Sequence, residues 1–247
     1  MTKPLTLFHV SDLHFGAEDR AALDWFARDV ADVRPDAVIC TGDLTMRARH
    51  HEFAAATAWL GALAAPVMVE PGNHDLPYFN LIERFTAPTA RYRALRRVVN
   101  RDLALDGAAI IALPTVAAAQ WRLNWSKGRV SRTDLAHALA GLSAAGAAGI
   151  RIVACHHPLI EANTAATAST RGGAQALAAL AQAGADVVLS GHVHDAFDVV
   201  VEAGGRPIRL VGAGTLSERL RTTRPSYNRL DYEAGQGLRV APQVMPS

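Results

Sequence analysis

The sequence predicts an α/β fold with parallel strands, on three observations. Short apolar, β-branched runs alternate with segments whose apolar residues recur at helical spacing. Half of the 247 residues are hydrophobic, enough to bury a full core. The chain also lacks linkers, charge blocks and fixed-period repeats, so residues 1–247 read as a single domain.

The first strands are "LTLFHV" (5–10), "DAVIC" (36–40) and "PVMVE" (66–70). Between them Leu23, Phe26, Val30 and Val33, and then Phe53, Leu60 and Leu63, fall at helical spacing, so each connection is a helical crossover and the strands pair in parallel. The middle is less regular. "LALDGAAIIALP" predicts a hairpin about Asp106-Gly107, and "QWRLNWSKGRVS" an aromatic polar loop, from Trp121 to Trp125, entering a helix after Ser131. The second half resumes with "IRIVACHH" (150–157), an alanine-rich helix after Gly173 and "ADVVLSGHVH" (185–194). An antiparallel pair then turns at Gly204-Gly205, a strand covers 227–233, and "LRVAPQVMPS" is either a last strand or a tail.

Composition excludes more than it identifies. With 25 basic against 23 acidic residues, the formal charge of +2 does not demand a nucleic-acid duplex or an anionic membrane as partner. Cys40 and Cys155 both sit in apolar runs and read as buried free thiols. The first residues form no signal-peptide core and no run approaches the roughly 20 apolar residues of a membrane span, so a cytoplasmic location is expected.

Polar residues gather where the strands end, the edge at which open α/β sheets bind ligands. "SDLH" supplies Asp12 and His14, "TGDL" supplies Asp43, and "PGNHD" supplies Asn73, His74 and Asp75; the second half adds His156, His157, His192 and His194. Extended backbone would turn Asp12 and His14 to one side, and likewise His192 and His194. Each motif alone is an ordinary turn. Jointly they form an oxygen and nitrogen donor set without cysteine, which suits hard or borderline divalent ions. Gly42, Gly72 and Gly191 allow the backbone close to that cluster.

The ordered set "DLH", "GD", "GNHD", "HHP", "GHVH" resembles the calcineurin-like metallophosphoesterase superfamily over residues 5 to about 215. The resemblance implies a four-layer α/β/β/α sandwich with two mixed β-sheets and a pair of divalent ions (Mn, Fe, Zn, Co or Ni). It implies that Asp12, His14 and His194 ligate one ion, that Asn73, His156 and His192 ligate the other, and that Asp43 bridges them. His156 is chosen over His157 because the ligand stands two before the proline. With ions roughly 3.5 to 4 Å apart, a bridging hydroxide would attack phosphorus in line, and His74 would stabilise the transition state or protonate the leaving alkoxide. Asp75 would orient His74 or simply cap a turn.

"GDLTMRAR" and "GNHD" differ from the "GDxVDRG" and "GNHE" of the superfamily's protein phosphatases, and the chain has little room for the duplex-binding segments of its nucleases. The set looks most like the bacterial class III cyclic nucleotide phosphodiesterases, which implies a small-molecule phosphodiester substrate such as a 3′,5′-cyclic nucleotide. Alternatives left open are a UDP-diacylglucosamine-type pyrophosphatase with a wall near Trp121 to Trp125, a promiscuous phosphoesterase on mono- or triesters, and a non-catalytic binding protein. A homodimer fits the superfamily, although no stretch announces an interface. His9 is expected in the sheet, His50, His51 and His137 in solvent, and Arg47, Arg49, Arg171 and Arg221 as exposed cations within possible reach of a phosphate.

Overall fold

Two five-stranded mixed sheets pack face to face, with helices on both outer sides. The computed structural model describes residues 4–246 apart from 101, 102, 104, 119–125, 147, 148, 163, 165, 168 and 169. The Trp121 to Trp125 loop lies outside the described residues.

The first sheet runs β10 (Gly237–Val244), β9 (Ser226–Glu233), β1 (Leu5–Val10), β2 (Ala37–Cys40), β3 (Val67–Val69). β1, β2 and β3 are parallel, as the crossover helices α1 (Arg20–Val33) and α2 (His50–Ala62) require, while β9 returns antiparallel beside β1 and pairs with β10. The second sheet runs β4 (Ala108–Ala112), β5 (Ile150–Ala154), β6 (Val187–Ser190), β8 (Arg206–Gly212), β7 (Phe197–Ala203). Only β7 is antiparallel in it, joined to β8 through the turn at Gly204-Gly205.

Period-two alternation sets the layers. From β1 and β2, Leu5, Leu7, Ala37 and Ile39 face the second sheet and meet Ile152, Ala154, Val187, Leu189 and Val211, while Phe8, Val10, Val38 and Cys40 face the helices. Phe26 of α1 is fully buried on that outer side, where its ring meets Phe8 at 6.0 Å and Tyr227 at 4.9 Å. Burying each such ring contributes roughly 1.5–3 kcal/mol. On the other flank α5 (Arg132–Ala144) and α6 (Gly173–Gln182) cover Val153, Val188 and Leu210. Local chemistry fixes the helix starts: Asp19 accepts from the Ala22 N–H and Ser131 from the Asp134 N–H.

Two expectations need correction. Among the described residues no hairpin forms about Asp106-Gly107: Gly107 turns at φ 87°, but β4 after it pairs in parallel with β5. Val33, at the end of its apolar stripe, is 39% exposed. Two further helices, α3 (Leu81–Thr86) and α4 (Ala90–Val99), fill the middle segment, and α4 packs Tyr92, Leu95 and Val99 into the first core. Cys40 and Cys155 are buried free thiols, and among the described residues no helix is long and apolar enough to cross a membrane.

Candidate metal centre

The loops after β1, β2, β3, β5 and β6 converge on one spot between the sheets. The backbone there departs from the expected extended form. Asp12, His14, Asp43, His192 and His194 all have positive φ, between 47° and 70°, and account for five of the seven described non-glycine residues with that conformation. Left-handed backbone costs of order 1 kcal/mol per residue and persists only where surrounding structure enforces it. The members of each D-x-H and H-x-H pair therefore converge through left-handed twist, not through strand alternation.

Close approach enforces it. A Cβ on Gly72 would lie 2.1 Å from Asp43 Oδ1, and one on Gly191 would lie 1.8 Å from Ser11 Oγ and 2.6 Å from Asp12 Oδ2. Any side chain at either position would displace a donor.

The donors form two overlapping groups. In one, His194 Nε2 lies 3.1 Å from Asp12 Oδ1 and 3.2 Å from His14 Nε2. In the other, His156 Nε2 lies 3.2 Å from Asn73 Oδ1 and 3.4 Å from Asp43 Oδ2. Asp43 Oδ2 is also 3.8 Å from His14 Nε2, so this carboxylate stands between the groups. The His192 ring stands edge-on to His156 at 5.2 Å, and its backbone N–H donates to Asp12 Oδ2 at 2.8 Å.

Outer hydrogen bonds aim the rings. His156 Nδ1 donates to the Thr41 carbonyl at 2.7 Å and His194 Nδ1 to the Arg219 carbonyl at 2.6 Å, which turns both Nε2 atoms inward. His157 is occupied at both nitrogens, by Thr115 Oγ1 at 2.9 Å and the Ser126 carbonyl at 2.9 Å. Asp75 accepts from the N–H groups of Leu44, Thr45 and Gly72, tying the β2 loop to the β3 loop, while His74 Nδ1 is held by the Met46 carbonyl at 2.7 Å. Asp75 thus caps the turn, and Met46 orients His74. His9 is buried between the sheets on Thr41 Oγ1, and His50, His51 and His137 are exposed.

The electrostatics suit cations. Burial alone would raise the Asp12 carboxyl, but neighbouring His194 holds it below its ordinary value; burial and His156 act in the same opposed way on Asp43, with the same net lowering. Burial depresses His14 and His192 to about 3, so both are neutral with lone pairs available. Burial also opposes charge on His156, yet the Asp43 carboxylate raises it to about 9. Asp12 Oδ1 and His14 Nδ1 are buried and make no hydrogen bond. The Asp12 oxygen, buried without a donor among converging imidazoles and a second ionised carboxylate, is what a pair of divalent ions could satisfy.

Sequence reasoning missed Arg219. Its Nη1 lies 3.0 Å from His74 Nε2 and 3.3 Å from His14 Nε2, on the loop after β8, where no motif marks it.

Similar proteins agree with this architecture. The chain aligns over 82 residues, at 35% identity, with a glycerophosphodiester phosphodiesterase, GpdQ, of Enterobacter lignolyticus; the match spans 29% of this chain and 30% of that relative. Among solved structures, a dimetal phosphatase from Danio rerio superposes with TM-score 0.65 at 12% identity, covering 98% of this chain and 99% of that one. A purple acid phosphatase, PPD1, from yellow lupin (Lupinus luteus) superposes with TM-score 0.66 at 11% identity, covering 99% of this chain and 52% of that one. At such identities the likeness is one of fold. Residues 5–196 match the calcineurin-like phosphoesterase family, which uses a dinuclear metal centre, and the chain belongs to that family.

Proposed function

We propose that the chain is a dinuclear metal-dependent phosphodiesterase acting on small-molecule substrates, with residues 1–247 working as one domain. The observation that carries the reading is the pair of donor groups joined at Asp43, whose Oδ2 lies 3.4 Å from His156 Nε2 and 3.8 Å from His14 Nε2. In this reading Asp12, His14 and His194 hold one ion, Asn73, His156 and His192 the other, and Asp43 both. Bound there, two divalent ions supply Lewis acidity toward the phosphoryl oxygens and a hydroxide nucleophile near neutral pH.

The chain's own residues do the rest. His74 is a ligand of neither ion; its ring is pinned at Nδ1 by Met46, and its Nε2 points at the site beside Arg219. Arg219 donates toward the substrate's phosphoryl oxygen, and once it does so His74 Nε2 is free to carry a proton. As the oxygen of water, its proton lost to solvent, bonds to phosphorus and the ester P–O bond breaks, the His74 proton passes to the leaving oxygen, and His74 regains one from solvent. Alignment with a glycerophosphodiester phosphodiesterase favours diesters over monoesters. Cyclic nucleotides are the first substrates to try, manganese the first metal, and the cytoplasm and a homodimer the expected setting.

The test is hydrolysis of bis(p-nitrophenyl) phosphate beside p-nitrophenyl phosphate and then 3′,5′-cAMP, with Mn²⁺ supplied and a chelated control. A metal-dependent preference for the diester is expected. No turnover of any of the three with two ions bound would overturn the reading.

A further inference from the structure

Beside the metal centre, a cleft of about 350 Å³ opens between the loop after β2 and the segment before α3. It begins one residue beyond Met46, whose carbonyl holds His74, and its other wall starts at Pro77, three residues beyond His74. The two segments that hold His74 thus run on into the walls of the cleft.

Its lining has a definite character. Arg47, Arg49 and Arg91 contribute guanidinium groups, and no carboxylate lines it among the described residues. Arg91 is spent on structure: it pairs with Glu83 and donates to the Ala48 carbonyl at 2.5 Å, clamping the loop in place. Buried Glu52 fixes the same loop by accepting from the N–H groups of Arg47 at 2.8 Å and Arg49 at 3.0 Å. So held, the loop presents the Arg47 side chain to solvent with no protein partner among the described residues, while the Arg49 guanidinium lies 5.6 Å over the Phe79 ring. Phe79 is 65% exposed and Tyr78, edge-on to it at 5.5 Å, is 59% exposed. Two exposed aromatic rings beside a solvated guanidinium on a fixed backbone form the kind of patch that marks a binding site.

We infer that this cleft is a substrate subsite for an arm bearing both a flat aromatic ring and a second negative charge, the chemistry of a nucleoside phosphate. The ring stacks on Phe79 and Tyr78, and the anion takes Arg47, with Arg49 bridging the two. The inference deepens the phosphodiesterase reading and rests on it for where the scissile phosphorus lies. A cyclic mononucleotide has no second anion, so the subsite favours a substrate with a further phosphate beyond the one cleaved.

Two measurements test it. Titration calorimetry of the chelator-treated full chain with adenosine 5′-monophosphate and with adenosine should show the monophosphate binding at least about tenfold tighter. Arg47→Ala should remove that difference, Arg47→Lys should keep part of it, and Phe79→Ala should weaken both ligands. In turnover, the metal-loaded enzyme should cleave the 5′-phosphorylated dinucleotide pApA with kcat/KM at least about tenfold above ApA, and Arg47→Ala should bring the ratio toward one. Equal affinity for the two mononucleoside ligands, a preference untouched by Arg47→Ala, or an equal loss on pApA and ApA would overturn the subsite. If those results came with intact hydrolysis of bis(p-nitrophenyl) phosphate, the subsite would fall and the diesterase reading stand. Selective, Arg47-dependent binding of the monophosphate with no diester hydrolysed would leave the subsite and remove the diesterase reading.

Discussion

The two sheets bring different chemistry to the same place. The ends of β1, β2 and β3 deliver Asp12, His14, Asp43 and Asn73, mostly oxygen donors and all of the negative charge; the ends of β5 and β6 deliver His156, His192 and His194, all imidazoles. Neither edge offers a complete set for two ions. The difference teaches that the centre is a joint. Bonds across it fix donors from each side: His156 of the second sheet is aimed by the Thr41 carbonyl of the first, and the His192 N–H is taken by Asp12.

The largest effect that would break this asymmetry is at the donor between the groups. Asp43→Ala should abolish both ions, with metal content by plasma emission near zero and turnover at the level of the chelated control; retention of one ion would show that the joint has two independent halves. His192→Ala, on the imidazole side, should lower occupancy from two ions to one. His74→Ala should keep both ions and lose about 10² to 10⁴ in rate on bis(p-nitrophenyl) phosphate. Full rate with every ester tried would remove His74 from catalysis. Arg219→Ala should cost about 10- to 100-fold in kcat/KM, the worth of a charge-assisted hydrogen bond, again at unchanged metal content.

The smallest effect tests whether the first sheet's acids matter only at the joint. Glu70, at the end of β3, is buried and its Oε2 makes no hydrogen bond. Burial, only partly offset by Arg96, raises its carboxyl from 4.5 to about 8. Below about 4.5 it is protonated whether the chain is folded or not; between there and about 8 only the folded chain keeps the proton, so its contribution to stability falls as pH rises and levels off above 8. Glu70→Gln should therefore gain in Tm over the parent by an amount that grows from pH 5 to pH 8, read by scanning calorimetry with metal content unchanged. A pH-independent difference would contradict the burial argument.

Most of this was legible in the sequence because the motifs are local. Each donor stands within a few residues of a strand whose apolar run is plain, and the ordering of the runs implies the sheets. What stayed hidden depends on distant packing. Arg219 reaches His74 only because β8 returns beside β6, a register no short motif encodes. The left-handed backbone at Asp12 and His14 is imposed by contacts with Gly42 and Asp43 carbonyls, not by propensity. The turn at Gly107 looks the same in sequence whether the strand after it folds back or joins a later partner. Arg47 and Arg49 read as ordinary surface cations until Glu52 and Arg91 are seen to hold their loop.

The place of β1 has a consequence for the order in which the protein matures. β1, at residues 5–10, lies between β2 and β9, and β9 occupies residues 226–233. On the ribosome β1 must keep one edge open until β9 has been translated. The loop that follows β1 carries Asp12 and His14, and their partner His194 is made before β9. The donor set is thus complete while β1 still lacks its last neighbour.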